Sequence, residues 1–425
     1  MSLSKVQKAE EKYLLHTYDR YPILLTHAKG AYLYADDGSK YLDFLSGIGV
    51  MSLGYSHPAI TKVIREQSAK LVHCSNLFYS EYPSLLAQKL VKLSGLDRAF
   101  FCNSGTEAWE GALKISRAVA SGKGLKKRTR FLALENSFHG RTMGAVATTY
   151  TEKYRKPFAP LMPGVTFVKF NDVEDLKQKF GDDVCAVCIE PIQGEGGIHP
   201  VSLAFMKAAR ELTQASGALL LLDEIQCGMG RTGKMFAYQH YGVKPDVVTL
   251  SKPLAAGLPL GAVLVTAGVA EAIHPGMHGT TFGGGPLACA VALEALKVIE
   301  EEKILAHVKE VGGYFLELLR QLDARHRSVV DVRGAGLMIG LELDSADLAK
   351  AVQKAMLEQK IVINRTHETV LRFLPPFVVT KKQVEVVVKA LDQILSSCAS
   401  SDDAAPATAR SPRQRLPKAL ASGAK

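Results

Sequence analysis

The sequence predicts an α/β protein with a large domain built on a mainly parallel seven-stranded sheet, and a smaller α+β domain. Seven apolar runs lie between residues 98 and 266, and their lack of polar alternation is typical of strands covered on both faces. Amphipathic patterns, such as residues 107–120 and 202–215, predict helices between many of them. The predicted strands are residues 98–102, 129–134, 165–170, 184–190, 218–223, 246–250 and 262–266.

The N-terminal region contains a helix signal and a hairpin signal. Ser4 is expected to cap a helix that runs to about residue 17. Two short strand patterns, residues 31–35 and 40–44, flank Asp37-Gly38, which predicts a β-hairpin. A further helix is expected from Pro58, because proline is favoured in the first helical turn.

The pattern changes after long helical stretches that run from Pro286 to about His326. Short strands and helices then alternate, with strands predicted at 337–343, 361–364 and 370–374 and helices at 345–358 and 380–397. We therefore predict four parts: residues 1–50, packing with the small domain; 51–300, the large domain that binds the ligand; 301–398, the small domain; and 399–425, a disordered basic tail.

Composition and charge exclude several classes of protein. Of 425 residues, 47% are hydrophobic and 22% charged, which excludes a largely disordered or collagen-like chain. No apolar run is long enough to cross a bilayer and no signal core follows Met1, so we expect a cytoplasmic protein without a membrane partner. Part of the net charge of +10 falls in the tail, which lacks aromatic residues, so nucleic acid is not an expected partner.

The cysteines favour neither disulfides nor a metal site. Seven cysteines, an odd number, are scattered through apolar segments, as expected for reduced and buried thiols. Cys185 and Cys188 have the spacing of a zinc pair, but they lie inside an unbroken apolar strand pattern without the turn that such a site needs. No metal is expected.

Polar residues that end the predicted strands point to the chemistry. The carboxyl ends of parallel strands meet at one sheet edge, where such folds bind ligands. Ser104, Gly105 and Thr106 lead from a strand into a helix, whose free N–H groups suit a phosphate. Asp223 and Lys252 end two further strands. A lysine that binds an aldehyde, an aspartate for a pyridinium nitrogen and a phosphate-binding turn together predict a pyridoxal phosphate site.

Several long motifs strengthen this interpretation. They are YLDFLSGIGV at 41–50, NSGTEA at 103–108, SFHGRT at 137–142, EPIQGEGG at 190–197 and DEIQCGMGRTG at 223–233. On these motifs, residues 21–396 resemble the class III (ω-amino acid) pyridoxal-phosphate-dependent aminotransferases of fold type I. Within that family, the sequence is most similar to the branch that acts on N-acetylornithine.

The resemblance implies a set of cofactor contacts. Lys252 would bind pyridoxal 5'-phosphate covalently, and Asp223 would pair with its pyridine nitrogen, so these two are the expected catalytic residues. The other implied contacts are Ser104, Gly105 and Thr106 with the phosphate, Phe138 stacked on the ring, and Gln226 near the 3-hydroxyl. Thr281 matches the residue that reaches the phosphate of the neighbouring subunit, which implies a homodimer with shared active sites.

Four further residues indicate the substrates. By resemblance, Arg141 takes a substrate carboxylate, Arg372 binds the α-carboxylate of glutamate, and Glu195 masks Arg372 when the donor lacks that group. Ile48 stands where ornithine-specific relatives carry a tyrosine, and an apolar side chain there tolerates an acylated nitrogen. The expected reaction moves the distal amino group of N-acetylornithine to 2-oxoglutarate by a ping-pong mechanism, as in arginine biosynthesis.

Alternatives stay open at this point. Ornithine, succinylornithine or 4-aminobutyrate could be the donor, the chain could be a glutamate-semialdehyde aminomutase, or its basic tail could engage nucleic acid. Gln226 and Arg372 argue against the aminomutase. Three positions depart from the family pattern, namely Pro253, Gly285 and Trp109, and the tryptophan is expected to narrow the site or to pack at the subunit interface. His57 and His139 are expected to be structural, and Arg231 and Arg333 to position backbone or an interface.

Overall fold

A computed structural model describes the backbone of residues 2–402 and the side chains to residue 398. Residues 403–425, most of the predicted disordered tail, lie outside the described residues. Residues 399–402 belong instead to the last helix, which ends at Asp402, so the predicted start of the tail was wrong. No helix in the described part of the chain is long and apolar enough to cross a membrane.

The N-terminal region forms a helix and the predicted hairpin. Its elements are α1 (Leu3–Tyr13), β1 (Leu25–Lys29), β2 (Tyr32–Ala35), β3 (Lys40–Asp43) and α2 (Ser46–Gly49). Ser4 lies inside α1, whose N-cap position is Ser2, and the helix ends at Tyr13, so the predicted cap and end were wrong. Strand β3 pairs in parallel with Ile361–Val362 from the far end of the chain.

The middle of the chain alternates strands and helices. Its elements are α3 (Pro58–Ser68), α4 (Glu81–Ser94), β4 (Arg98–Cys102), α5 (Gly105–Gly122), β5 (Arg130–Leu134), α6 (Met143–Ala147), α7 (Glu152–Arg155), β6 (Val165–Val168), α8 (Val173–Lys179), β7 (Val184–Ile189), β8 (Ile192–Gln193), β9 (His199–Pro200), α9 (Leu203–Ser216), β10 (Leu219–Asp223), β11 (Val247–Leu250), β12 (Gly261–Val265) and α10 (Ala267–Ala270).

The seven predicted strands form one sheet in the order β4-β12-β11-β10-β7-β5-β6. Strand β12 is antiparallel to both of its neighbours, and the other pairings are parallel, which confirms the predicted fold class. Every residue of β7 and of β10 is buried, as the unbroken apolar runs require. Strands β4, β5, β7, β10 and β11 therefore end at the same edge, where the loops that follow them meet.

The C-terminal region has its own antiparallel sheet, in the order β13-β14-β17-β16. Its elements are α11 (Pro286–Glu301), α12 (Ile304–Arg325), β13 (Val329–Ala335), β14 (Met338–Leu343), α13 (Ala346–Glu358), β15 (Ile361–Val362), β16 (Asn364–Thr366), β17 (Val370–Phe373) and α14 (Lys381–Asp402). The division of the chain near residues 50 and 300 stays a prediction.

Candidate active site

A cavity of about 330 Å³ opens at the carboxyl edge of the large sheet. This size is within the range of small-molecule sites. Eight of the residues predicted from the sequence line it, namely Gly105, Thr106, Phe138, Arg141, Glu195, Asp223, Gln226 and Lys252. The fold thus brings together side chains from five loops that are far apart in sequence.

Lys252 directly follows the short segment after β11 and is only partly exposed to solvent. Burial lowers the pKa of its ammonium group, while the charges of Asp223 and Glu195 oppose that shift. Its backbone φ of +28° is uncommon for a residue with a side chain, a strain typical of functional sites. Pro253 is the second residue of the 3-10 turn Lys252–Ala255, where a missing N–H leaves no hydrogen bond unmade, so this departure from the family pattern is compatible with the turn.

Asp223 is buried at the end of β10 and accepts several hydrogen bonds. Its Oδ1 accepts from the backbone N–H of Ile225 at 3.0 Å and from the Thr249 hydroxyl at 3.3 Å. Its Oδ2 lies 2.8 Å from His139 Nδ1. Because an ionised carboxylate only accepts, His139 donates through Nδ1–H. These donors stabilise the negative charge at the sheet edge.

His139 was expected to be merely structural, but it contacts the predicted catalytic aspartate directly and also lines the cavity. Behind it, Trp109 stacks on the imidazole ring with 3.9 Å between ring centroids and an interplanar angle of 5°. Trp109 is fully buried and donates from Nε1 to Thr148 Oγ1 at 2.9 Å. The tryptophan therefore neither narrows the cavity nor packs at a subunit interface, and that expectation was wrong.

The N-terminus of α5 faces the cavity at Gly105 and Thr106. A Cβ at position 105 would lie 2.8 Å from Ile225 Cγ2, so any larger residue there would force the Ile225 side chain to move. The Thr106 hydroxyl lies 2.9 Å from that of Thr142, which donates in turn to Glu110 Oε1 at 2.6 Å. The sequence did not predict this series of hydrogen bonds from Thr106 through Thr142 to Glu110. The N–H groups and hydroxyls at the start of α5 suit a phosphate.

Ser104 has a different place from the other phosphate candidates. It is the N-cap of α5, and its hydroxyl accepts from the backbone N–H of Glu107 at 3.3 Å. Ser104 is not one of the described residues that line the cavity. A contact between Ser104 and the phosphate stays a prediction.

Glu190 joins two loops of the cavity wall. One carboxylate oxygen accepts from the backbone N–H of Phe138 at 2.9 Å and the other from that of Gly194 at 3.0 Å. Burial raises the pKa of this carboxyl to about 7, against the opposing charge of His139. The sequence marked Glu190 as a strand end but did not reveal that it fixes the backbone next to the ring of Phe138.

Glu195 lines the cavity and forms an ion pair with Arg372, which is not itself one of the lining residues. Arg372 is buried, and its Nη1 lies 2.6 Å from Glu195 Oε1. Its Nη1 also donates to Gln226 Oε1 at 3.2 Å, and its Nε donates to Asn364 at 3.1 Å. Burial alone would raise the pKa of Glu195, but the charge of Arg372 holds it below the usual value. Glu195 thus occupies the carboxylate-binding donors of Arg372.

Besides Ser104 and Arg372, two more predicted residues are not among those that line this cavity. Ile48 sits on the left-handed turn Ser46–Gly49 with φ of 64° and a 40% exposed side chain. Thr281 is exposed, next to a backbone that Asn76 holds through hydrogen bonds to Thr280 and Gly283. The substrate contact of Ile48 and the contact of Thr281 with the phosphate of a neighbouring subunit both stay predictions.

Comparison with known protein families assigns this chain to one of them. The family model described as Aminotransferase class-III matches residues 13–395. That match decides the family. The chain belongs to the class III aminotransferases.

Relatives of this class III aminotransferase cover nearly the whole chain. An acetylornithine aminotransferase of Methanocaldococcus jannaschii is 48% identical over 91% of this chain and 97% of the relative. One of Aquifex aeolicus is 44% identical over 90% of this chain and 100% of the relative. The crystal structure of the ornithine aminotransferase from Toxoplasma gondii superposes with a TM-score of 0.90 at 32% identity, over 94% of this chain and 96% of that one.

Class III aminotransferases use pyridoxal 5'-phosphate, and so does this enzyme. The residues present fit that group: a desolvated lysine, a buried carboxylate with stabilising donors, and a helix N-terminus with free N–H groups. Among the described residues, no cluster of His, Cys, Asp and Glu side chains could hold a metal ion.

Proposed function

We propose that this class III aminotransferase moves the distal amino group of N-acetylornithine to 2-oxoglutarate, giving N-acetylglutamate semialdehyde and glutamate in arginine biosynthesis. One observation carries the proposal. The Glu195–Arg372 ion pair closes the site for an α-carboxylate, while Arg141 lines the same cavity without an ion pair in the described part of the chain. The two acetylornithine aminotransferases compared above support the same substrate.

The two half-reactions use the arginines differently. With N-acetylornithine, Glu195 stays on Arg372, so the donor carboxylate binds Arg141 and the distal amine reaches Lys252. With 2-oxoglutarate, Glu195 moves away, Arg372 binds the α-carboxylate and Arg141 the distal one. The reacting carbons of the two substrates differ by one bond in their distance from the Arg141-bound carboxylate, so a small shift accommodates both. A planar guanidinium binds each carboxylate through two parallel hydrogen bonds.

The site residues divide the chemistry between them. When bound, pyridoxal phosphate supplies an electron sink for the carbanion formed at the amine-bearing carbon. Asp223 would supply the negative charge for the pyridine nitrogen, and Gly105 and Thr106 would hold the phosphate. Lys252 would hold the cofactor, and as a free amine it would take a proton from the substrate carbon as general base. Its lowered pKa favours the neutral amine that this step needs.

The Glu195–Arg372 pair gives a direct test. We expect Arg372→Ala to slow the glutamate half-reaction by about 10²-fold or more, while the N-acetylornithine half-reaction changes only a few-fold, because only glutamate needs that arginine. Glu195→Ala should shift preference toward glutamate, because the uncovered guanidinium then favours an α-carboxylate. Single-turnover rates with each amine separate the half-reactions. Equal losses in both halves for Arg372→Ala contradict the assignment.

We propose further that the enzyme is a homodimer with shared sites. Leu77, Phe78 and Tyr79 are 88%, 71% and 105% exposed, and Phe282 is 66% exposed. Asn76 ties these two segments together through its hydrogen bonds to Thr280 and Gly283. Apolar side chains so exposed in one patch favour burial against a second copy, which would bring Thr281 toward the partner's phosphate site. All seven cysteines are free thiols and five of them are buried, which fits a reducing compartment, and we propose a cytoplasmic location.

Subunit complementation tests the shared site. Thr281→Ala alone should weaken cofactor binding, and Lys252→Ala alone should abolish turnover. A heterodimer of the two variants has one fully intact site only if Thr281 acts on the partner's site. We expect the purified heterodimer to regain about half the turnover per dimer and to bind cofactor tightly at its active site. Turnover with the weak cofactor affinity of Thr281→Ala indicates that Thr281 acts within its own chain.

A further inference from the structure

Arg141 is held in the cavity by an aromatic stack. Its Cζ lies 3.9 Å from the centroid of the Tyr154 ring and 5.7 Å from that of Phe138. The two rings meet edge to face at 79° with 5.9 Å between centroids. Arg141 itself is exposed, and in the described part of the chain it has no ion pair with a carboxylate. Its N–H donors are therefore free for a ligand.

The helix that carries Tyr154 is anchored to the large sheet. In α7, the neighbouring Arg155 places its Cζ 4.8 Å from the ring centroid of Phe167 on β6 and donates to the backbone oxygen of Tyr150 at 3.4 Å. The Tyr150 N–H donates in turn to the Ser137 backbone oxygen at 2.9 Å, next to Phe138. Tyr154 thus belongs to the same rigid wall as Phe138.

Stacking affects how well an arginine binds a carboxylate. A guanidinium that lies flat on an aromatic face keeps all of its N–H donors at the rim of its plane, where they reach a carboxylate in pairs. An exposed arginine without such support loses side-chain freedom when it binds, and this ordering weakens affinity. The ring of Tyr154 removes much of that cost before the substrate arrives.

We propose that Tyr154 is a positioning residue that sets the substrate specificity of the site. Its ring holds the Arg141 guanidinium in one plane, so that the site selects amines and oxo acids whose carboxylate lies far from the reacting carbon. This inference rests on the proposed function, in which Arg141 binds that carboxylate.

Two amino acids that differ in the distal carboxylate test the inference. Glutamate and alanine both present an α-carboxylate to Arg372, but only glutamate has a carboxylate for Arg141. In single-turnover experiments, we expect Tyr154→Leu to raise the apparent Kd of glutamate and of N-acetylornithine about fivefold to tenfold. The maximal rate should change less than about twofold, and the apparent Kd of alanine should stay within about twofold.

Three further variants serve as controls. Tyr154→Phe keeps the aromatic face, and its preference for glutamate over alanine should match that of the wild type. Tyr32→Leu removes a stack of similar distance, with Lys40 Nζ 3.8 Å from the ring centroid, in the N-terminal hairpin, so it should leave that preference unchanged. Should Tyr154→Leu fail to fold, Tyr154→Met removes the ring while keeping apolar bulk.

The outcomes separate this inference from the proposed function. In an Arg141→Ala background, Tyr154→Leu should have no further effect on glutamate, because the stack no longer exists. Equal losses for glutamate and alanine, or a full additional loss in that background, overturn the role of Tyr154 alone. If Arg141→Ala itself fails to weaken glutamate relative to alanine, Arg141 does not bind the distal carboxylate, and the substrate assignment fails with it.

Discussion

Lys252→Ala is expected to lower turnover by several orders of magnitude while the fold and the cofactor site persist. The variant would lose the group proposed to bind the cofactor covalently and to move the proton, and alanine at this position leaves Gly105, Thr106 and Asp223 in place. Turnover of N-acetylornithine is the measurement, with cofactor binding followed by its absorption.

Chemical labelling supplies the control for this prediction. Borohydride reduction of the wild-type holoenzyme followed by peptide mapping should place the cofactor on Lys252. A label on any other lysine contradicts the assignment, and so does a Lys252→Ala enzyme with wild-type turnover.

Asp223→Asn is expected to slow proton abstraction by about 10³-fold or more, because it removes the negative charge proposed to pair with the pyridine nitrogen. The substitution also weakens the hydrogen bond that His139 donates at 2.8 Å. The fold should persist, since asparagine has nearly the same shape. Single-turnover rates with N-acetylornithine provide the measurement.

Asp246→Asn is the matched control. Asp246 also accepts hydrogen bonds in the large sheet, but it does not line the cavity. Its Oδ2 accepts from the Leu220 N–H and from Arg210 Nη1, each at 2.8 Å. That variant should lose stability and keep its rate of proton abstraction. A well-folded Asp223→Asn with near-normal rates means that Asp223 has another role.

The large sheet could be predicted because its signal is local. Each buried strand is an unbroken apolar run, and β7 and β10 show this most clearly. Strand β13 (Val329–Ala335) escaped prediction because it mixes buried residues with the exposed Val330 and with Arg333 and Gly334. The end of α1 was also wrong, since a helix without a buried residue has no packing that fixes its length.

The predicted site residues came from strand ends and from motifs, which point to candidate contacts with a cofactor. The pairings of residues that act through other residues had no such signal. His139 reaches Asp223 across 84 positions of sequence, and Glu110 reaches Thr142 across 32. Trp109 departs from the family pattern in the sequence, but only the structure shows that its ring stacks on His139. Such pairs depend on the fold and cannot be derived from spacing.

The most direct test of the account measures which amine reacts first with the holoenzyme. Purified enzyme saturated with pyridoxal phosphate is mixed with N-acetylornithine, ornithine, 4-aminobutyrate or glutamate, and the loss of cofactor absorption is followed by stopped flow. We expect N-acetylornithine to react at least about tenfold more efficiently than ornithine or 4-aminobutyrate, with glutamate as the second productive donor. Faster loss of absorption with ornithine or with 4-aminobutyrate contradicts the proposed function.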